Sequence, residues 1–179
     1  ASTGGFTEVL LDRNAEEVIA ADVGYGQLAW SLRSDPRVTV MERTNVRGLT
    51  AEQIAGPVDL VVADLSFISL STVLPALVSC ASVDADIVPM VKPQFEVGKE
   101  RVGPGGVVSD PAQRIDSVLA VALRADSLDW HAVDVTASPL PGPAGNVEYF
   151  LRLRTRTDDP LRGDALEQRI RQAVALGPQ

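Results

Sequence analysis

Cysteine and histidine are nearly absent from this 179-residue chain, which contains one of each, Cys80 and His131. A single cysteine excludes an internal disulfide and is typical of proteins from a reducing, cytoplasmic setting. One cysteine and one histidine also cannot form a structural zinc site of the usual kind. We therefore predict no bound metal, a cysteine buried on a helix and a structural role for His131.

Basic residues are outnumbered, with 16 Lys and Arg against 24 Asp and Glu and a net charge of -8. This balance argues against tight, non-specific nucleic-acid binding by the chain as a whole, although it permits a local basic patch. Residues 1–6 have neither the basic region nor the apolar core of a secretory signal. The uncharged run 65–83 is long enough for a membrane helix, but its serines and Pro75 favour a loop followed by a buried helix.

Apolar residues make up 45% of the chain, which is typical of a globular domain with a substantial core. Short β-branched strands alternate with helical segments, and this order predicts an α/β fold with a doubly wound, mostly parallel sheet. Two strands at 130–138 and 147–155 flank a Pro/Gly turn, which predicts an antiparallel hairpin at the sheet edge. The chain opens on a glycine-containing turn with no strand before it. We therefore expect one domain over residues 1–179 with a truncated first strand.

The stretch from Val58 to Phe67 contains the first candidate site. Its apolar first half predicts a strand that is buried on both faces of a sheet and ends at Asp64. Ligands of open α/β sheets bind beyond the carboxyl ends of the strands, so Asp64 is a candidate for ligand binding or catalysis. A helix cap is an equally good interpretation of Asp64 from this pattern alone.

A second acidic residue, Asp22, ends the strand that begins at Val18. It follows the Gly4-Gly5 turn by about 20 residues, the separation between a cofactor-binding turn and the acid that holds a ribose diol. Because the glycine pattern of dinucleotide sites is absent, we favour a nucleoside-type cofactor without phosphate, such as S-adenosylmethionine. A plain strand-end role is the alternative for Asp22, and Asn45 is either an adenine contact or a turn former.

Several other segments carry expectations about structure. Residues 93–108 are glycine-rich and exceed the roughly 12–15 residues of an ordinary loop, so they form either a substrate-binding lid or a disordered connection. The pair Asp110-Pro111 predicts the start of a helix. We expect Trp30 in the core, and a terminal helix from Arg162 to Leu176 whose inward face carries Leu166, Ile170 and Val174.

Four motifs taken in order carry a resemblance to a known family: ASTGGF at 1–6, ADLSFIS at 63–69, VKPQFE at 91–96 and GNVEYF at 145–150. Together they resemble the TlyA family, FtsJ-like ribosomal RNA 2'-O-methyltransferases that are also called haemolysins, and most closely its mycobacterial members. The likeness covers essentially the whole chain. It implies a Rossmann-like methyltransferase fold, the cofactor S-adenosylmethionine, and methylation of cytidine ribose in 16S and 23S ribosomal RNA in the cytoplasm.

The active site of that family is a Lys-Asp-Lys-Glu tetrad, and by motif Asp64, Lys92 and Glu148 match its last three members. The first Lys and an RNA-binding module belong upstream of Ala1, so the resemblance leaves open whether this chain is active by itself. Lys92 would accept or steer the proton of the ribose hydroxyl while the two carboxylates orient it. Because two carboxylates beside a lysine favour its ammonium form, the role of neutral base is not established by the sequence.

The resemblance also implies a cofactor site. Its members are Ser2, Thr3, Gly4, Gly5 and Phe6 around the methionine portion, Asp22 and Val23 at the ribose, Asn45 at the adenine, and Asp64, Leu65 and Phe67 near the adenine and methionine ends. Phe67 either stacks on the adenine or is a core aromatic. Lys99, Arg101, Arg114 and Arg154 are candidate phosphate contacts. Two other functions stay open, a membrane-active haemolysin and a catalytically incomplete cofactor- or partner-binding module.

Overall fold

The computed structural model describes residues 1–178, and the chain divides into two compact units, Ala1–Gly56 and the part from Pro57 onward. The first unit contains a two-stranded parallel sheet, in which Val18 pairs with Val38 and Ala21 with Met41. Its elements are α1 (Gly5–Asp12), β1 (Val18–Ala21), α2 (Trp30–Arg33), β2 (Val38–Met41) and the 3-10 turns Val46–Gly48 and Glu52–Ile54.

The core of the first unit is built from aliphatic side chains of α1, β1, β2 and the segment before α2: Leu11, Val18, Ala20, Leu28 and Val38. Leu32 packs against this cluster, whereas Trp30 is 78% exposed. The expectation of a core tryptophan is therefore wrong. Helix α2 is a single turn, and the two leucines on either side of Trp30 take the inward positions.

The second unit contains a four-stranded sheet of order β3-β4-β6-β5. Strands β3 and β4 are parallel, whereas β6 is antiparallel to both β4 and β5. Parallel pairs followed by an antiparallel hairpin at the sheet edge confirm the predicted α/β class. The elements are β3 (Val58–Ala63), α3 (Leu70–Cys80), β4 (Ala81–Val91), α4 (Pro93–Glu96), the 3-10 turns Lys99–Arg101 and Pro104–Gly106, α5 (Pro111–Asp126), β5 (His131–Ala137), β6 (Tyr149–Arg154) and α6 (Gly163–Leu176).

Strand β3 is less buried than its sequence predicts. Leu60 is 41% exposed, and only Ala63 among the strand residues is fully buried. In the sheet as described over residues 1–178, β3 lies at the edge and pairs with β4 alone. The expectation of burial on both faces is therefore wrong, because the apolar run reports hydrophobicity and not whether another element covers each face of the strand.

Helix α3 confirms the prediction of a buried helix after a loop, and Cys80 at its end is buried. Pro75 lies inside this helix, where its missing N–H leaves the carbonyl of Ser71 without the usual helical donor. The guanidinium of Arg124 on α5 donates to that carbonyl, with Nε 3.4 Å from the oxygen. Within residues 1–178, no helix is long and apolar enough to cross a membrane.

The remaining helices follow the predicted patterns. Asp110 caps α5 by accepting a hydrogen bond from the N–H of Ala112, with Pro111 at the first helical position. Leu166, Ile170 and Val174 on α6 are buried as predicted. The stretch 93–108 forms three short helical turns, and the side chain of Asn146 bonds to the backbone of both Gly106 and Val108 at its end.

Candidate active site

The three predicted catalytic residues converge at one edge of the four-stranded sheet. Asp64 directly follows β3 and Lys92 directly follows β4, and these parallel neighbours pair Ala63 with Pro89. Glu148 directly precedes β6, whose first residue pairs with the last residue of β4. Because β6 runs antiparallel to β4, its start lies beside the end of β4, and the three side chains meet there.

Lys92 is the centre of this cluster. Its ammonium nitrogen lies 2.5 Å from Oδ1 of Asp64 and 3.7 Å from Oε1 of Glu148. It also lies 3.4 Å from Oγ of Ser66. The side chains of Lys92 and Glu148 are only 12% and 9% exposed, whereas that of Asp64 is 44% exposed. The cluster therefore has a buried carboxylate on one side of the lysine and a solvent-facing one on the other.

Glu148 is held by its surroundings as well as by Lys92. The side-chain amide of Gln94 donates to Oε1 of Glu148 at 3.3 Å, and the backbone N–H of Ser138 donates to the Glu148 carbonyl at 2.8 Å. A Cβ placed on Gly142 would lie 2.9 Å from the same Oε1, so the turn of the hairpin closes over the carboxylate. A buried charge needs such partners. The sequence predictions did not include the contact made by Gln94.

The loop that follows β3 presents an exposed aromatic ring. Phe67 is 92% exposed, so the core alternative is wrong for this residue. Its φ of 63° is in the left-handed region, which costs on the order of 1–3 kcal/mol for a bulky side chain and persists only where the surroundings impose it. The ring of Phe95 packs against it with centroids 5.3 Å apart. Leu65, in contrast, is partly buried.

A carboxylate from the Lys92 segment also reaches this loop. Glu96 accepts a hydrogen bond from the Ser69 hydroxyl and one from the Leu70 N–H, each at 2.7 Å. Burial raises the pKa of the Glu96 carboxyl above its ordinary value, against the lowering effect of those two hydrogen bonds. The sequence predictions gave Glu96 no role. The signal was its position four residues after Lys92, one turn along a helix that starts with proline.

In the first unit, the opening turn is compact around Gly4. The Gly4 N–H donates to the Ala1 carbonyl at 3.0 Å, and Gly4 has a φ of 109°. A Cβ there would lie 2.2 Å from Cδ1 of Leu32, so glycine is required by backbone conformation and by close packing. Ser2, Thr3 and Gly5 around it are exposed, and Phe6 is partly buried.

Asp22 fastens this turn to the end of β1. Its carboxylate accepts hydrogen bonds from the amino group of Ala1 and the N–H of Ser2, both at 2.6 Å, and from the N–H of Gly24 at 2.7 Å. The neighbouring Val23 is 69% exposed. Two segments of the predicted cofactor site are thus in contact.

Asn45 lies on the loop after β2, which is tied to Asp22 by a bond from the Thr44 N–H to the Asp22 carbonyl at 2.8 Å. Its side chain accepts from the Arg47 N–H at 3.0 Å and caps the next 3-10 turn, as expected of a turn former. Asn45 also borders an open groove of about 600 Å³, formed with Arg43, Thr44, Arg47, Gly48 and Gln53. The adenine role stays a prediction.

The basic side chains that are candidate phosphate contacts differ in whether they already have partners within the protein. The guanidinium of Arg114 donates to the Val108 carbonyl, and that of Arg154 lies 3.4 Å from Asp86. Lys99 and Arg101 lie on the exposed 3-10 turn beyond α4. Across residues 1–178, no group of three or more His, Cys, Asp or Glu side chains is arranged to hold a metal ion.

This arrangement of strands and site residues agrees with one protein family. A model of FtsJ-like methyltransferases matches residues 1–155, which is most of the chain. The chain belongs to the FtsJ-like methyltransferase family. Within that family it is 74% identical, over 99% of its length, to the 16S/23S rRNA (cytidine-2'-O)-methyltransferase TlyA of Mycobacterium tuberculosis. The chain spans only 66% of that relative's own length.

A hemolysin name occurs in the same FtsJ-like group. Hemolysin A of Brachyspira hyodysenteriae is 35% identical over 84% of this chain and 63% of its own length. A solved structure from Streptococcus thermophilus with a provisional hemolysin name superposes with a TM-score of 0.88 at 36% identity. The match covers 97% of this chain and 63% of that one. Methyltransferase and hemolysin names are therefore labels within one family.

More distant structures agree in fold alone. An O-methyltransferase from Bacillus cereus, solved in complex with SAH, superposes with a TM-score of 0.55 at 14% identity. That match covers 86% of this chain and 71% of that one. The predicted Rossmann-like methyltransferase fold is confirmed.

Proposed function

We propose that this chain is the methyl-transferring part of an S-adenosylmethionine-dependent ribosomal RNA 2'-O-methyltransferase that acts on cytidine ribose in 16S and 23S RNA. The observation that carries the proposal is the Asp64–Lys92–Glu148 cluster, in which a nearly buried ammonium is held between two carboxylates at the ends of β3 and β4. The 74% identity to a relative named for that activity supports the choice of substrate. The cytoplasm, where ribosomes lie, is the proposed location.

The cluster suits a reaction at a ribose hydroxyl. A 2'-hydroxyl is a weak nucleophile that must be aligned with the methyl group, and positioning alone supplies up to about 7–11 kcal/mol in favourable systems. Lys92 would contact the hydroxyl oxygen and steer its proton, while Asp64 and Glu148 hold the Lys92 nitrogen in place. Bound S-adenosylmethionine supplies the methyl group as an electrophilic sulfonium.

The residues of the first unit fit a nucleoside cofactor without phosphate. Oδ1 of Asp22 accepts a bond from the Gly24 N–H, and since a carboxylate oxygen has two acceptor sites, a ribose hydroxyl can still donate to Oδ1. The turn at Ser2–Gly5 would lie against the methionine portion, with Val23 at the ribose and Asn45 at the adenine. In the second unit, Asp64 and Leu65 would contact the methionine end, and the exposed Phe67 ring is available for base stacking.

The test is transfer of an isotope-labelled methyl group to ribosomal subunits that lack the modification, with the product nucleoside identified by mass spectrometry. Both the 179-residue chain and a form extended upstream are assayed, since the resemblance implies a further lysine and an RNA-binding module there. Lys92→Met should abolish transfer. Arg171→Met is the control, because Arg171 is an exposed basic residue on α6 and is not among the candidate contacts to cofactor or RNA.

The expected product is 2'-O-methylcytidine from the wild type and from Arg171→Met, and none from Lys92→Met. Transfer to a base atom, or full activity of Lys92→Met, would contradict the proposal. Calorimetric titration with S-adenosylmethionine tests the cofactor separately. If neither form binds it while both are folded, the methyltransferase proposal fails and a partner-binding module becomes the better explanation.

A further inference from the structure

The loop after β3 and the segment after β4 are joined at both ends. At the first end, Asp64 contacts Lys92 at 2.5 Å. At the second end, Ser69 and Leu70 donate to the carboxylate of Glu96, each at 2.7 Å. The Asp64–Lys92 contact belongs to the catalytic cluster described above. The contacts of Glu96 lie outside it.

The segment that carries Lys92 and Glu96 is stiff. The Phe95 N–H donates to the Lys92 carbonyl at 2.9 Å, and the Val97 N–H donates to the Pro93 carbonyl at 3.0 Å. Lys92 and Glu96 are therefore fixed to each other by one closed helical turn. If Ser69 and Leu70 moved away from Glu96, the geometry at Lys92 would therefore change as well.

The facing loop, residues 64–69 after β3, has a strained backbone conformation that needs support from neighbouring residues. Phe67, midway between Asp64 and Ser69, has a φ of 63°, which a phenylalanine rarely adopts without outside support. The Ser69 hydroxyl both donates to Glu96 and accepts from the Ser71 N–H at 3.2 Å. Glu96 thus satisfies one of the free N–H groups at the start of α3 and fixes the Ser69 side chain that satisfies another.

We propose that Glu96 is a positioning residue: its carboxylate fastens the start of α3 to α4 and so holds the loop in the conformation in which Asp64 reaches Lys92. The proposal deepens the methyltransferase function proposed above and rests on it, because the Asp64–Lys92 geometry affects a rate only if that cluster performs the reaction. In this proposal Glu96 acts on Lys92 through the loop that carries Ser69 and Leu70.

The test compares Glu96→Ala with Glu96→Gln and the control Glu100→Ala in the same segment. Glu96→Ala should lower kcat roughly 10- to 100-fold, the range that corresponds to losing a hydrogen bond to a charged group, with KM for RNA unchanged. Glu96→Gln should restore most of kcat, because its amide oxygen still accepts from the Leu70 N–H and its nitrogen can donate to the Ser69 oxygen. Glu100 is exposed on the next turn, and its replacement should leave kcat unchanged.

A second measurement does not depend on activity. Amide hydrogen exchange at Leu70, followed by NMR, should be at least about tenfold faster in Glu96→Ala and near wild type in Glu96→Gln. Unchanged exchange at Leu70 in Glu96→Ala overturns the proposal. If Glu96→Ala does not fold, Ser69→Ala takes its place, since it keeps the Leu70 bond and loses the hydroxyl bond. An unchanged kcat in Ser69→Ala then overturns the proposal, and a reduced kcat with unchanged KM supports it.

Failure of the two proposals can be told apart. If the wild type transfers methyl groups and Lys92→Met does not, but Glu96→Ala keeps its kcat, only the role of Glu96 is wrong. If the wild type transfers none, the proposed function is wrong. The Leu70 exchange rate then decides on its own whether Glu96 holds the loop.

Discussion

Gln94 donates a hydrogen bond to Glu148 on the same carboxylate oxygen that faces the ammonium of Lys92, with Nε2 3.3 Å from that oxygen. The other amide atom of Gln94, Oε1, is buried and has no hydrogen-bond partner among residues 1–178. A buried acceptor without a donor is costly. Gln94 therefore contributes little to stability but directs the buried carboxylate toward the lysine.

Replacement of Gln94 by leucine separates these two effects. The free energy of unfolding of Gln94→Leu should stay within about 1 kcal/mol of wild type, because the lost bond is offset by removal of the unpaired oxygen. The methyl-transfer rate should fall roughly tenfold, since Glu148 loses the donor that orients it. Urea denaturation and single-turnover assays measure the two quantities. Gln172→Leu on the exposed face of α6 is the control, and equal rates for both variants would count against this role.

The raised pKa of Glu96 predicts a dependence of stability on pH. A carboxyl whose pKa is higher in the folded state binds more protons folded than unfolded, so stability falls as pH rises from its ordinary 4.5 through the folded value. Glu96→Gln lacks this titration. The stability of Glu96→Gln relative to wild type, measured as the free energy of unfolding, should therefore be greater at neutral pH than at about pH 4. Urea denaturation over this pH range measures the difference in unfolding free energy between the two proteins. A difference that does not change with pH would contradict the prediction.

Gly4 and Gly5 should differ sharply although they are adjacent. Gly4→Ala should destabilise the protein by about 2 kcal/mol or more, because its φ is 109° and the new Cβ would lie 2.2 Å from Leu32. Gly5→Ala should be neutral or slightly stabilising, since no atom lies within 4 Å of its Cβ position and alanine favours the helix. Thermal unfolding of the two variants measures both effects. Equal stability of Gly4→Ala and Gly5→Ala would contradict the prediction, because it would mean that the turn around Gly4 can move to accommodate the new Cβ.

The outcome for Trp30 and Leu60 shows where sequence reasoning ends. Trp30 was expected in the core and Leu60 in a buried strand, yet the two side chains are 78% and 41% exposed. Periodicity and hydrophobicity report which element forms, because they reflect local backbone preference. Burial depends on which other elements lie beside it, and that information is not local.

The three predicted catalytic residues illustrate the same division. Asp64 was a candidate from its place at a strand end, whereas Lys92 and Glu148 were recognised only through the family motifs. Contacts such as those of Gln94 with Glu148 and Glu96 with Leu70 join residues 54 and 26 positions apart. No spacing rule connects such distant positions without knowledge of the fold.

By itself, the sequence determined the order of strands and helices, the antiparallel hairpin and the helix start at Asp110, because each follows from local periodicity or from capping and turn chemistry. Only the tertiary structure decided that Lys92 lies between Asp64 and Glu148, and that Glu96 accepts hydrogen bonds from Ser69 and Leu70. The physical reason is register: the pairing of β4 with β3 on one side and β6 on the other sets which side chains meet at the sheet edge.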